Sequence, residues 1–176
     1  MNDHMRPRFT RTRPDGDTHH RDVCERCGFV AYENPKIVVG SVAMHAGKVL
    51  LCRRAIEPRR GHWTVPAGYL ELGETPEEGA VREASEEANA DLVLHGLLAV
   101  YTVRRLSQVQ LIYRASLTDG LFSAGEETLE AALFDWHDVP WDDLAFPTVH
   151  WMLQHQRAFE AGTATPPFGN PHPDAA

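Results

Sequence analysis

The sequence predicts a mixed α/β sandwich, and three observations carry that expectation. Apolar strand-like runs stand on both sides of one central acidic helix, a second helix of core spacing lies near the end, and 176 residues suffice for one well-formed core. Taken in order, residues 1–35 are a polar leader containing the turn cluster Pro14-Asp15-Gly16-Asp17 and the pair Cys24-x-x-Cys27. Residues 37–44 and 48–53 read as two strands around His45-Ala46-Gly47, a hairpin. A basic loop at 57–62 and a short extended piece at 63–66 then lead into the acidic helix.

That helix has a defined start. Thr75 suits the N-cap, Pro76 the first helical position and Glu78 the third, which together form a capping box. Leu92–Val103 and Gln108–Leu117 follow as strands joined by the polar turn 104–107, and residues 131–136 read as another. Residues 146–161 carry helical spacing through Val149, Met152, Leu153 and Phe159. Beyond them proline and glycine accumulate, so residues 162–176 are expected to form a flexible tail behind a main domain of residues 36–161.

Composition excludes several functions. With 17 basic and 25 acidic residues the net charge is −8, which opposes stable nucleic-acid binding, so an anionic substrate must be met locally. No run of 18 apolar residues is present, and three cysteines suit a reducing compartment. The expectation is a cytoplasmic protein without a membrane partner. Cys52, alone in a strand pattern, reads as a buried small hydrophobe.

The chemistry concentrates on the helix. Glu83, Glu86 and Glu87 share one stripe of it, whereas Ala80, Val81, Ala84 and Ala88 form the adjoining apolar face. Like charges three and four residues apart each cost about 0.2–0.5 kcal/mol. A hard divalent cation with oxygen ligands would offset that cost.

The run from Gly68 to Ala90, with Glu74, Arg82, Glu83, Glu86 and Glu87 in register, resembles the Nudix box G-x5-E-x7-R-E-U-x-E-E-x-G-U, where U is bulky and aliphatic. Asn89 replaces the last glycine of that pattern, and asparagine tolerates the left-handed conformation a helix end requires. Ala84 and Ala90 stand at bulky positions, which predicts thinner packing. The resemblance implies a Nudix α/β/α sandwich with a central mixed sheet. It implies Mg2+ or Mn2+ held by Glu83, Glu86, Glu87 and the Ala67 carbonyl, with Gly68, Glu74 and Arg82 structural. A general base would come from these glutamates or from Glu126, Glu127 or Glu130. Arg53, Arg54, Arg59 and Tyr69 are candidates for holding substrate, and Arg60 and Trp63 lie beside them.

The resemblance extends further through Asn34–Gly40, Leu51-Cys52-Arg53-Arg54 and Leu144-Ala145-Phe146. These segments are similar to a Nudix subgroup with a zinc-ribbon leader, associated with FAD and ADP-ribose hydrolysis. This implies cleavage of a nucleoside diphosphate linked to another moiety (FAD, ADP-ribose or an NADH-like compound) to AMP and a second monophosphate. The alternative is a nucleotide-sensing domain that binds such an effector without cutting it. Cys24 and Cys27 supply half of a tetrahedral Zn2+ site, the upstream pair falling near Asn2 and Met5, with His4, His19 and His20 as substitutes. Family members also form homodimers, and that expectation carries over.

Overall fold

The computed structural model describes residues 7–171, which divide into two compact units at Pro35/Lys36. The smaller is a three-stranded antiparallel sheet of β1 (Phe9–Thr12), β2 (Arg21–Cys24) and β3 (Val30–Ala31), in that order. The expected turn joins β1 to β2: Asp17 N–H donates to Pro14 O at 3.0 Å, and Asp17 is held by Arg21 at 3.0 Å. Cys24 closes β2, and the chain folds back through Cys24 N–H to Phe29 O and Gly28 N–H to Cys24 O.

The larger unit begins with β4 (Lys36–His45) and β5 (Lys48–Arg54), the expected hairpin, paired at its tip through Met44–Val49 and His45–Lys48. Below the tip the two strands part. There β5 takes β6 (Trp63–Thr64), and β4 takes β7 (Ala67–Tyr69). Helix α1 (Pro76–Ala88) follows, then β8 (Leu92–Val103), β9 (Gln108–Leu117), β10 (Thr128–Phe134) and α2 (Pro147–Glu160). The main sheet runs β10-β5-β4-β9-β8, and its β4–β9 pair is parallel while the others are antiparallel. The sheet is therefore mixed, as expected.

Its two faces are covered by different helices. Val42, Leu51, Leu98 and Ile112 point to one face and pack under α2 through Val149, Met152 and Leu153. Ala43, Leu50 and Ala115 point to the other, where Ala88 packs, and Val39 meets Ala80. Ala84 and Ala90, expected to thin the packing, are instead buried, as is Ala88 of the apolar face. Small side chains let α1 lie close on the strands, so the thin positions are where helix and sheet approach.

Residues 163–171 do not fray. Phe168 N–H donates to Leu98 O at 2.8 Å and Val100 N–H to Phe168 O at 2.9 Å, adding a bridge to the outer edge of β8. The Asn170 side chain continues the ladder, accepting from Thr102 N–H and donating to Thr102 O, both at 2.9 Å. The Phe168 ring stacks on His155 of α2 with centroids 4.3 Å apart. Composition suggested a free tail because proline disfavours regular structure; one aromatic and one asparagine suffice to dock it. Residues 172–176 lie outside the described residues, as do Asn2, His4 and Met5. Among the described residues no helix is long and apolar enough to cross a membrane.

Candidate active site

Helix α1 starts and stops as its sequence dictates. Thr75 Oγ1 accepts from Glu78 N–H at 3.2 Å while the Glu78 carboxylate accepts from Thr75 N–H at 2.8 Å, a complete capping box. Asn89 ends the helix in the left-handed region at φ 44°. It also does what glycine could not: its side-chain amide donates to Ser123 O, Ser123 Oγ and Ala124 O at 3.1–3.3 Å. Those bonds, with Gly125 N–H to Glu87 O at 3.0 Å, strap the 121–127 segment across the end of α1. A Cβ at Gly125 would lie 1.8 Å from Glu86 O, so no other residue permits this approach.

Arg82 organises the acids. Its guanidinium grips Glu74 bidentately at 3.0 and 2.7 Å, and donates to Glu83 at 2.8 Å, Glu86 at 2.9 Å and the Tyr69 carbonyl at 2.9 Å. The expected Glu74–Arg82 pair is thus one edge of a larger network. This contact holds the Glu74 carboxyl down at about 2, with a further bond from Glu71 N–H. Loop, strand β7 and three glutamates are fixed by a single planar donor.

The two inner carboxylates are the buried ones. Glu87, 7% exposed, accepts from Ala67 N–H at 3.0 Å, so Ala67 is placed against the acids through its N–H. Burial pushes the Glu87 carboxyl up to about 7, the Ala67 bond opposes the rise, and Glu83 adds to it. Glu83 is also raised, first by burial, with Arg82 opposing. Gly68 makes room for it: a Cβ there would stand 2.4 Å from both Glu83 oxygens. The box glycine is a cradle for a carboxylate.

These acids form one end of a cavity of about 1160 Å³. Glu126 and Glu127 line it, and the Glu127 charge lifts both Glu83 and Glu87. Glu130 does not line it; it lies on β10, 3.8 Å from Arg53, and the structure separates it from the cluster. Among the candidate cations, Arg54 lines the cavity and lies 5.3 Å over the Phe146 ring. Arg53 turns away to Gly61 O at 2.7 Å and Arg59 to Ala145 O at 3.0 Å, so neither borders the cavity. Tyr69 does border it and takes a hydrogen bond from Gln108 at 3.3 Å. Sequence reasoning missed Arg105, Gln110, Thr148 and Trp151, which also line the cavity. Only the polarity of the turn before β9 hinted at Arg105. Cys52 is buried, its thiol pushed up to about 12 by burial.

The NUDIX domain family model matches residues 34–153, more than half of the chain. This chain belongs to the Nudix family. A second family, described as Nudix N-terminal and carrying a zinc ribbon, matches residues 7–33 of this Nudix chain. The crystal structure of a NUDIX hydrolase from Nitrosomonas europaea superposes with a TM-score of 0.89 at 40% identity, covering 96% of each chain. An ADP-ribose pyrophosphatase of Methanocaldococcus jannaschii is 31% identical over 113 residues, 62% of this chain and 67% of that one. A MutT-like protein of Streptomyces ambofaciens is 35% identical over 91 residues, 52% of this chain and 57% of that one. The Nudix chain is accordingly a pyrophosphohydrolase, and Nudix hydrolases act on small nucleotide substrates.

Among the described residues no three acidic, histidine or cysteine side chains converge, so the acids suit a divalent metal that takes one or two carboxylates and keeps water and substrate oxygens as its other ligands. Glu83 and Glu87 are one turn apart and buried, and burial makes both resist ionisation despite the Arg82 guanidinium on Glu83. The Gly68 cradle keeps one of them at the cavity wall, and all the donors are oxygen. Cys24 and Cys27 are both reduced; Cys24 is buried and Cys27 exposed. The backbone N–H groups of Cys27 and Arg26 hold the Cys24 thiol below its ordinary range, favouring a thiolate. Among the described residues no third ligand joins them.

Proposed function

We propose that this chain hydrolyses the diphosphate of a nucleoside diphosphate joined to a second moiety, ADP-ribose being the foremost candidate, and releases AMP and a second monophosphate. FAD and NADH-like dinucleotides belong to the same class. The observation that carries the reading is the composition of one cavity, lined together by buried carboxylates, amides and aromatic rings. Its volume exceeds the ordinary range for small-ligand sites, which suits a substrate larger than one nucleotide. The archaeal relative's name supports the choice of ADP-ribose.

Glu83 and Glu87, with Glu86 and the Ala67 carbonyl beside them, would hold Mg2+ or Mn2+. Bound there, the metal neutralises phosphate oxygens and makes water more acidic. Arg82 keeps Glu83 and Glu86 in register, so the acids meet the substrate without rearranging. Arg54 faces the same space and offers a cation to a phosphate oxygen. Glu127, carried on the strapped 121–127 segment and bordering the cavity, would take a proton from attacking water.

A hydrolysis screen over FAD, ADP-ribose, NADH, dinucleoside polyphosphates and nucleoside triphosphates, with and without Mg2+, tests the proposal. AMP from ADP-ribose, only with metal present, is the expected result. No product from any of them would favour a sensing domain that binds without cutting. At the N-terminal unit, the zinc-ribbon match over residues 7–33 supports Zn2+ on Cys24 and Cys27, with His4, His19 and His20 the histidines of residues 1–35 to complete it. Metal analysis of purified protein should find about one zinc per chain, and less than about a tenth would refute it.

A further inference from the structure

Among the described residues, Gln110 Oε1 is the one buried side-chain polar atom of the cavity lining that the fold leaves without a hydrogen-bond partner. Neighbouring Gln108, by contrast, is fixed by donating to the Tyr69 hydroxyl. An unpaired buried amide oxygen is costly in a finished core, and natural proteins keep one where something else completes it. The end torsion of glutamine is soft, so the half-buried side chain can present either its oxygen or its NH2 to the cavity it lines.

Register fixes where this group stands. Tyr69 on β7 is opposite Val38 on β4, and Val38 is opposite Gln110 on β9. Paired residues share a face, so all three line the same wall, and two strand spacings put Gln110 about 10 Å across the sheet from Tyr69. Tyr69 adjoins Gly68 and the Glu83 cradle. Gln110 therefore sits away from the acids, on the wall that a nucleoside would cover when its phosphates reach them. An aromatic face is at hand: Gln110 is opposite Tyr101 on β8, and Tyr101 packs edge-on against Trp151, which also lines the cavity, at 5.6 Å. An amide beside an indole is the chemistry of base recognition, one reading an edge and the other taking the ring face.

We propose that Gln110 is a specificity-determining residue that selects an amino-bearing purine, adenine, by accepting from the base's amino group and donating to N7, with Trp151 against the ring. On that edge hypoxanthine offers two acceptors, which mismatch the amide in either orientation. This rests on reading the cavity as a nucleotide site, but its test does not require turnover. Hypoxanthine differs from adenine by an oxygen in place of the amino group, so AMP and IMP are the probes. Equilibrium binding to the full chain in Mg2+ should favour AMP by roughly 5- to 150-fold, the range of one good bidentate pair. In Gln110→Leu the preference should fall to within about twofold of unity, through loss of AMP binding. Gln110→Met, which keeps the length of the side chain, should behave alike, and the melting temperature of both should hold because an unpartnered amide is replaced. Equal binding of AMP and IMP by wild type, a preference for IMP, no binding of either, or a preference kept in both variants would overturn the proposal. Assaying ADP-ribose hydrolysis in parallel separates the two ideas. AMP selection without hydrolysis would leave Gln110 its role and remove the activity, and hydrolysis without AMP selection would do the reverse.

Discussion

Replacing Glu87 with glutamine should make the metal-free protein more stable while stopping its chemistry. The carboxyl sits almost wholly out of water, and burial pushes it up to about 7 from an ordinary 4.5. Below pH 4.5 it is protonated in folded and unfolded chains alike, so wild type and Glu87→Gln should match there. As pH rises from 4.5 to 7, the unfolded chain ionises freely while the folded carboxyl resists, and wild type loses stability. Above 7 the loss is complete and amounts to about 3 kcal/mol. Glutamine keeps the size and can still accept from Ala67 N–H, so the variant should escape that loss. For a chain this long, the gain corresponds to a melting temperature higher by roughly 6–12 °C. Urea or thermal unfolding at pH 4.5 and pH 8 with chelator present measures it, and adding Mg2+ should stabilise wild type far more than the variant. Turnover should fall at least about a hundredfold. A variant less stable than wild type at pH 8, or a difference that does not change between the two pH values, would refute the assignment of Glu87 as a buried, undercompensated acid.

Two further substitutions separate position from charge. Gly68→Ala puts a methyl 2.4 Å from both Glu83 oxygens, and the carboxylate, being the end of a flexible side chain, should swing aside. Activity should then drop about a hundredfold with little change in melting temperature; full activity would show that the cradle is dispensable. Glu127→Gln should lower kcat by about 10²–10⁴ if it takes the proton from water, whereas Glu130→Gln, outside the cavity, should change it less than about threefold. Equal effects from the two would remove Glu127 from that role.

What the sequence made legible was what local chemistry decides. The cap at Thr75, the proline after it, Glu78 and the left-handed Asn89 answer to neighbours within one turn, and all four stand as expected. The acidic stripe was legible for the same reason, since helical spacing places it. Long-range pairing was not. Arg53 and Arg54 are adjacent on β5, so they point to opposite faces, and only the register of β5 decides that Arg54 faces the cavity. Glu127 and Glu130 look alike in sequence, yet a shift in the β10–β5 pairing lies between Thr128 and Glu130 and separates their surroundings. Gln110 carries no signal of its own; its role follows from standing beside Val38 and Tyr101 on neighbouring strands. The comparison therefore divides by range: motifs within one helix can be read directly, and residues assembled across strands need coordinates.

The docked C-terminal segment bears on how this chain behaves in company. Strand β8 ends the main sheet, and a bare sheet edge offers its peptide groups to any extended chain that passes. Phe168 and Asn170 fill those positions at Leu98, Val100 and Thr102 from within the same molecule, so the second half of the strand is covered. Shortening the chain before Phe168 would remove no catalytic group, yet it would turn a shielded border into a surface that recruits other strands. The last described residues thus occupy, over Leu98–Thr102, backbone groups that another extended segment would otherwise find open.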